Sequence, residues 1–430
     1  MVTVNVKIWG IDVGVVSWNS DRGYASFELF PDFHKHGLDL APLKMPLEDI
    51  IRGQRIFEFP QLNNETYSGL PGMLSDSLPD AFGNQVIKAW LESQGRDEKS
   101  FSPVEKLSYI SERGMGALEY HPANYKPNPG KKDIVLENLI NLVEKVLDDK
   151  RKFTVNIGKD EEQALAELIT VGTSAGGQRP KAIIAYNRNT GEIRSGQIEV
   201  PEEFEQFIIK FDGLKKGKLS DPAGYGKIEL VYHLMAQECG IDMMFCDLLH
   251  ENKRSHFITK RFDRNNGKKI HSQTLCALAH YDYMKAGMYS YESTFAEMRE
   301  IGLPYSDFEQ LYKRMVFNVV ARNQDDHTKN ISFLLEENGE WRLGPAYDIC
   351  WSYNPDSDWT NTHQMTINNK RDNFSKEDLL QFAQVQNIKK PKEIIEQVID
   401  AISQWPQLAG EFDIELERIS YIKNTHRLKL

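Results

Sequence analysis

Hydrophobic positions recur with a period of two at the start of the chain and with a helical period through most of the rest. Apolar residues fall at Val4, Val6 and Ile8, then through 14–18 and again through 24–30, with Asp21-Arg22-Gly23 before the last run. Short alternating runs joined by a glycine turn predict a small antiparallel sheet. Leu78-Pro79-Asp80-Ala81-Phe82-Gly83 opens a predicted helix through 91, and Arg113-Gly114-Met115-Gly116-Ala117-Leu118-Glu119-Tyr120 reads as a connector of tight backbone geometry. The proline- and lysine-rich stretch 121–132 reads as a boundary linker. Amphipathic patterns over 134–146, 159–170, 228–239 and 307–322 predict helices, and 274–302 predicts helix with interruptions. Strands are expected at 182–186, 207–211, 257–262, 331–335 and 341–343, the last two around the turn Glu337-Asn338-Gly339-Glu340. The polar stretch 351–370 predicts a long irregular loop, and helices over 375–384, 390–403 and 412–423 finish the chain.

Composition narrows the class. At 430 residues the chain is too long for one ordinary core, and 40% hydrophobic with 27% charged residues is a soluble globular balance. The division expected is 1–125, a β-rich subdomain; 133–265, a nucleotide-binding part; and 266–430, a helical lobe. A net charge of −11 argues against a broad nucleic-acid face. No run approaches the roughly 18 apolar residues of a spanning helix, and Met1 to Lys7 lacks a leader's apolar block, so a cytoplasmic protein is expected. The four cysteines, Cys239, Cys246, Cys276 and Cys350, have neither metal-site nor disulfide spacing and read as reduced thiols.

Against that background one run carries chemistry: Asn323-Gln324-Asp325-Asp326-His327-Thr328-Lys329-Asn330, echoed by Tyr347-Asp348-Ile349. Phosphoryl transfer needs an acid beside the attacking hydroxyl and oxygen ligands that fix Mg²⁺ against phosphates. Asp325 is the candidate base, and Asn330 and Asp348 are the candidate metal ligands. The interval D-x-x-x-x-N also arises by chance, and charges at a helix end usually solvate or cap it. Here a helix precedes the loop and a two-stranded ribbon ending in an acid follows it, which is how kinase lobes present these groups.

A second run, Val171 to Lys181, holds Thr173, Ser174, Gly176, Gly177, Arg179 and Lys181. Glycines let backbone N–H groups approach phosphate, and the flanking side chains add donors and charge; a helix-to-strand turn needing positive φ explains the same residues. Lys210, on an apolar strand, is the candidate lysine for the α- and β-phosphates, with Glu229 its positioning partner and Lys218 and Lys227 its competitors. Lys260 and Phe262 stand where a kinase hinge would meet the adenine, Phe262 as a wall of the base pocket. His327 and Lys329 complete the candidate ATP-binding set. Lys389-Lys390-Pro391-Lys392 reads as a solvated helix start. The predicted fold is α+β: a small N-terminal β-rich subdomain, then a kinase-like bilobal domain with an α-helical C-terminal lobe.

Taken together, the runs at 78–83 and 113–120, Ser174 to Lys181 (SAGGQRPK), Phe207 to Lys210 (FIIK), Lys260 to Arg264 (KRFDR), Asn323 to Asn330 (NQDDHTKN) and Tyr347 to Ile349 (YDI) resemble, in order, the HipA-like serine/threonine kinases, toxins of bacterial toxin–antitoxin pairs. The resemblance implies ATP and Mg²⁺ as cofactors and phosphate transfer to serine or threonine. It makes Asp325 the catalytic aspartate, Asp348 and Asn330 metal ligands and Lys210 the ATP lysine, with autophosphorylation at Ser174. The phosphate would bring roughly −2 of charge against those of ATP. It also implies a small helix-turn-helix antitoxin of the HipB kind as partner, DNA contact only through that partner, a protein substrate such as an aminoacyl-tRNA synthetase, and no membrane. The Arg179-Pro180 pair departs from the best-known member, which lacks the proline. Two other readings share the residues: a small-molecule phosphotransferase, favoured by the acidic loop at Asp356 and Asp358, and a catalytically silent binding scaffold, against which the intact Lys210, Asp325, Asn330 and Asp348 set speaks.

Overall fold

The computed structural model describes residues 2–79, 81–93, 95–97, 100–123, 136–148, 179–196, 201–214, 223–265 and 267–430. The expected helix 159–170, most of the linker 121–132 and most of the glycine run, with Thr173, Ser174, Gly176 and Gly177, lie outside them, as does Lys218. The chain forms two compact units: Met1–Leu38, Leu47–Gly226 and Cys246–His271 in one, and Asp39–Pro46, Lys227–Phe245 and Ser272–Leu430 in the other.

In the first unit the period-two pattern does what alternation requires. Strands β1 (Val2–Ile8), β2 (Ile11–Asn19), β3 (Tyr24–Leu29), β4 (Ile56–Phe57) and β5 (Leu118–His121) pair antiparallel in the order β4-β3-β2-β1-β5. Val4, Val6 and Ile8 are buried, while Thr3 and Asn5 face outward. Trp9 and Gly10, both at positive φ, make the two-residue turn between β1 and β2, the geometry that matches strand twist. The expected turn at 21–23 is present, with Gly23 at φ +74.

The second sheet of this unit has the order β7-β6-β8-β10-β9, from β6 (Lys181–Tyr186), β7 (Ile193–Ser195), β8 (Glu205–Lys210), β9 (Cys246–Glu251) and β10 (Arg254–Lys260). Its apolar face packs under the helices Ala81–Ser93 and Leu136–Asp148: Phe82, Val86, Leu91, Leu139 and Val143 meet Ile184, Phe207, Ile209 and Ile258 in one core. Each such side chain contributes about 1.5–3 kcal/mol on burial. A short ribbon, β11 (Arg264–Asn265) with β12 (Lys268–Lys269), follows.

Two runs that looked unrelated in the sequence interlock here. The Asp263 carboxylate, fully buried, accepts from Arg261 Nε (2.8 Å), Arg261 Nη2 (2.7 Å), Arg264 Nη1 (2.8 Å) and the Gly116 backbone N–H (2.7 Å). Arg264 also donates to the carbonyls of Gly114 (3.0 Å) and Gly116 (2.9 Å). Burial alone would raise the Asp263 pKa, but the two guanidinium groups outweigh it and hold it at about 2. The glycine connector at 113–120 is therefore fastened by the charges of the KRFDR run.

The helix Tyr225–Glu238 starts earlier than the expected 228 because Asp212 caps it: its carboxylate accepts from the backbone N–H groups of Gly224 (2.9 Å) and Tyr225 (3.1 Å). Gly226 is required by a close approach, since a Cβ there would stand 2.2 Å from the Ser255 carbonyl oxygen.

The second unit is built on the helix Tyr305–Ala321, expected at 307–322, which buries Phe308, Leu311, Met315, Val316, Val319 and Val320. Around it lie helices Leu275–Ala279, Tyr291–Glu300, Lys376–Gln386, Pro391–Ser403 and Leu416–Thr425 and a sheet of order β13-β14-β15, from β13 (His271–Thr274), β14 (Ser332–Leu335) and β15 (Trp341–Leu343). A further helix, Trp405–Glu411, was not legible: it is short, Gly410 lowers its intrinsic propensity, and the fully buried Trp405 holds it by packing. The α+β class and the β-rich N-terminal region are as expected. All four cysteines are free and buried, and among the described residues no helix is long and apolar enough to cross a membrane.

Candidate active site

Helix Tyr305–Ala321 ends at Arg322, whose φ of +58 turns the chain sharply into the polar loop. Asn323 bridges to Ser352, residues 324–327 have no regular secondary structure, and Thr328–Asn330 forms one 3-10 turn capped by His327, whose Nδ1 accepts from Lys329 N at 3.2 Å. Asn330 Nδ2 then reaches back to the Asp325 carbonyl at 2.8 Å, so the five-residue interval is closed by a hydrogen bond of its own.

The two adjacent acids have opposite surroundings. The Asp326 side chain is 1% exposed, and its oxygens accept from Tyr291 Oη (3.0 Å) and the Gln364 backbone N–H (2.8 Å) and pair with His363 Nδ1 (2.9 Å). Burial pushes its pKa up, but the His363 charge and these donors more than reverse that. The Asp325 side chain is 39% exposed. It accepts from Trp359 Nε1 at 2.6 Å and has His327 Nε2 at 3.7 Å. Its pKa is raised, first by desolvation and then by Asp348 and Asp326, with His327 and Trp359 opposing. Asp325 thus keeps an accessible carboxylate with some affinity for a proton, as a base must.

The second acidic run converges on the same place. Tyr347 Oη donates to the Lys329 carbonyl at 2.6 Å, fixing the chain beside the end of the loop. Arg314, on the long helix, holds the Gly344 carbonyl at 2.7 Å, and Asp307 holds Arg342 and the Leu343 N–H. Asp348 follows at φ +52, a left-handed conformation that aspartate tolerates better than most residues. Asp348, Asn330, Asp326 and His327 line one pocket with Arg314 and Tyr347. A carboxylate and an amide oxygen in one pocket suit a hard divalent cation such as Mg²⁺.

In the first unit, Lys181 and Lys210 stand opposite one another across the β6–β8 ladder, Lys181 buried and Lys210 with its Nζ 5.5 Å from the Phe257 ring centre. Arg179 lies over the Tyr225 ring at 4.5 Å. Lys260 is ion-paired to Glu205, and Phe262 is half-buried between Arg261 and Asp263. In the second unit Glu229 is buried in the second turn of its helix rather than at its start, and Lys227 points to the Asp413 carbonyl. Lys329 sits over the Tyr283 ring at 4.6 Å.

Sequence reasoning missed Asp326, His363, Tyr291, Trp359 and Asp212. The doubled aspartate was the one local signal. His363 and Trp359 lie dozens of residues away in a loop whose composition reads as polar, and Tyr291 heads a helix in another part of the chain.

The matching family models are the HipA N-terminal domain over residues 4–121 and the HipA-like C-terminal domain over residues 173–406. A putative kinase, Y4mE, from Sinorhizobium fredii is 27% identical over 125 residues, an alignment spanning 27% of this chain and 30% of that protein. Among solved structures, HipA in the Shewanella oneidensis MR-1 toxin–antitoxin complex of HipA, HipB and operator DNA superposes with a TM-score of 0.66 at 16% identity, covering 98% of this chain and 95% of that one. With both domain models matched in order on a chain of the same fold, the chain belongs to the HipA-like family.

Proposed function

We propose that the chain is an ATP-dependent serine/threonine protein kinase of the toxin type, cytoplasmic, and held by a small helix-turn-helix antitoxin resembling HipB. The supporting observation is the half-exposed Asp325, locked into its loop by Asn330, which itself lines one pocket with Asp348, the acid whose charge Asp325 feels.

Asp325 would orient the acceptor hydroxyl and take its proton as the new oxygen–phosphorus bond forms and the bridging bond from the γ-phosphorus to the departing ADP breaks. Asn330 and Asp348 would hold Mg²⁺, which when bound neutralises the nucleotide's phosphates. Lys210 and Lys181 supply positive charge on neighbouring strands for the same phosphates. His327 orders the loop, and its partial charge opposes the rise in the Asp325 pKa. Gly176, Gly177 and Ser174 would close over the phosphates, and Ser174 would be the site of autophosphorylation. Lys260, Phe262 and Lys329 are proposed nucleotide contacts, with Glu229 supporting Lys210. The known HipA complex includes HipB and operator DNA; the same partnership here would give this acidic chain its route to DNA. An aminoacyl-tRNA synthetase is the proposed substrate class.

The decisive experiment measures γ-phosphate transfer from labelled ATP by wild type and Asp325→Asn, with intact-mass analysis and peptide mapping across 171–181. Transfer by wild type alone, with label on the Ser174 peptide, is expected. Equal phosphate release by both would end the reading. A second reading, a small cationic acceptor, draws on the exposed Asp356 and Asp358 beside Trp359. Phosphoproteomic comparison after brief induction separates the two, since only a protein kinase adds phosphopeptides.

A further inference from the structure

The loop after Asp348 comes back to the catalytic run at two neighbouring points. His363 and the Gln364 N–H take hold of Asp326, and Trp359 takes hold of Asp325. Between them, Gln364 Nε2 donates to the carbonyls of Trp359 and Gln324, and Trp359 N donates to Ser357 Oγ at 3.1 Å. The indole is therefore not a loose surface ring that happens to lie near an acid: its main chain is tied, through Gln364, to the same loop that carries the acidic pair. Its ring lies 6.1 Å from the His327 ring.

Consider what the indole N–H does for Asp325. A half-exposed carboxylate on a side chain with two free torsions has several orientations of similar energy. A 2.6 Å hydrogen bond to Oδ1 selects one of them and leaves Oδ2 to meet an acceptor hydroxyl. Unlike lysine or arginine, indole brings no full positive charge, so it orients the base without drawing it into an ion pair that a substrate must break. A donor that never loses its proton also cannot exchange roles with the base during the reaction.

We infer that Trp359 is a positioning residue for phosphoryl transfer: its indole N–H fixes the Asp325 carboxylate in the orientation that receives the acceptor's proton, and the loop from Ser357 to Gln364 delivers it there. This rests on the kinase reading above. Nothing in it requires Trp359 to touch nucleotide, so its loss should leave the KM for ATP unchanged.

Trp359→Phe keeps the ring and removes the donor. The expected result is a fall in kcat of about 10- to 100-fold, the usual cost of one hydrogen bond to a charged group, with KM for ATP within about twofold. Trp359→His, which can donate through a ring nitrogen, should recover part of the loss. Thermal melting of each variant checks folding. The contact is read independently of activity by ¹⁵N-indole NMR: the resonance missing from Trp359→Phe should be exchange-protected in wild type and shifted in Asp325→Asn. An active wild type with unimpaired Trp359→Phe would overturn the role of Trp359 alone, as would an unshifted indole in Asp325→Asn. So would equal losses in Phe and His variants accompanied by lower melting temperatures, which mark a merely structural ring. A wild type that transfers no phosphate, with the indole shift present, would sink the kinase reading and the positioning role with it.

Discussion

Two short charged runs, 260–264 in the first unit and 323–330 in the second, each contain an aspartate buried almost completely, and each uses it to fasten a remote segment. Asp263 fastens Gly114 and Gly116 through Arg261 and Arg264; Asp326 fastens His363 and Gln364. They differ in what stands next door. In the first run the charges around the aspartate are matched by arginines inside the same knot. In the second, a further aspartate remains accessible on the anchored backbone. A buried acid with complete partners is a fastener, and chemistry is to be looked for in its neighbour.

The comparison breaks most visibly if the neighbour is neutralised. Asp325→Asn should lower phosphoryl transfer by roughly 10⁴-fold, the upper range for a positioned base, while its melting temperature stays at or above the wild-type value, since the replaced carboxylate is disfavoured when charged. Asp263→Ala should behave in the opposite sense: it strands Arg261 and Arg264 and should cost about 3–5 kcal/mol in urea unfolding. Asp326→Ala should lose both stability and activity, and a folded, fully active Asp326→Ala would show that Asp326 does not fasten the loop.

Acid sharpens the contrast. The Asp263 pKa is about 2 in the fold, below the usual carboxylate value near 4, so its stabilisation is complete above pH ~4 and fades as pH falls through 4 towards 2. That loss amounts to about 2 kcal/mol. Asp326, also lowered, acts in the same direction, whereas Asp325 is raised and gains rather than loses folding free energy as it protonates. Chemical denaturation at pH 6 and pH 3 should therefore show a drop that Asp325→Asn does not remove. The smallest effect belongs to a pair exposed on both sides: Arg52→Ala, which breaks the bond to Glu48, should change stability by at most about 0.5 kcal/mol.

What the sequence made legible follows from range. The helix over 307–322 and the ribbon after it are local periodicities, and the structure has them within a few residues. The Asp325–Asn330 interval was legible because the bond that closes it spans five residues. Trp359 and His363 were not, because they lie in an irregular loop whose position depends on partners 34 and 37 residues earlier. The Asp263 knot joins residues 147 apart, so its arginines looked like hinge charge rather than a clasp. Likewise the early start of the helix Tyr225–Glu238 depends on Asp212, beyond the reach of any helical period.

The left-handed backbone at Asp348 narrows what that position can become. Asparagine and glycine adopt φ near +52 readily, and β-branched residues do not. A library randomised there and sorted for solubility alone should return chiefly Asp, Asn and Gly. The Asp348→Asn variant would then provide a folded chain of altered charge, a bait for the acceptor that the proposed kinase activity requires.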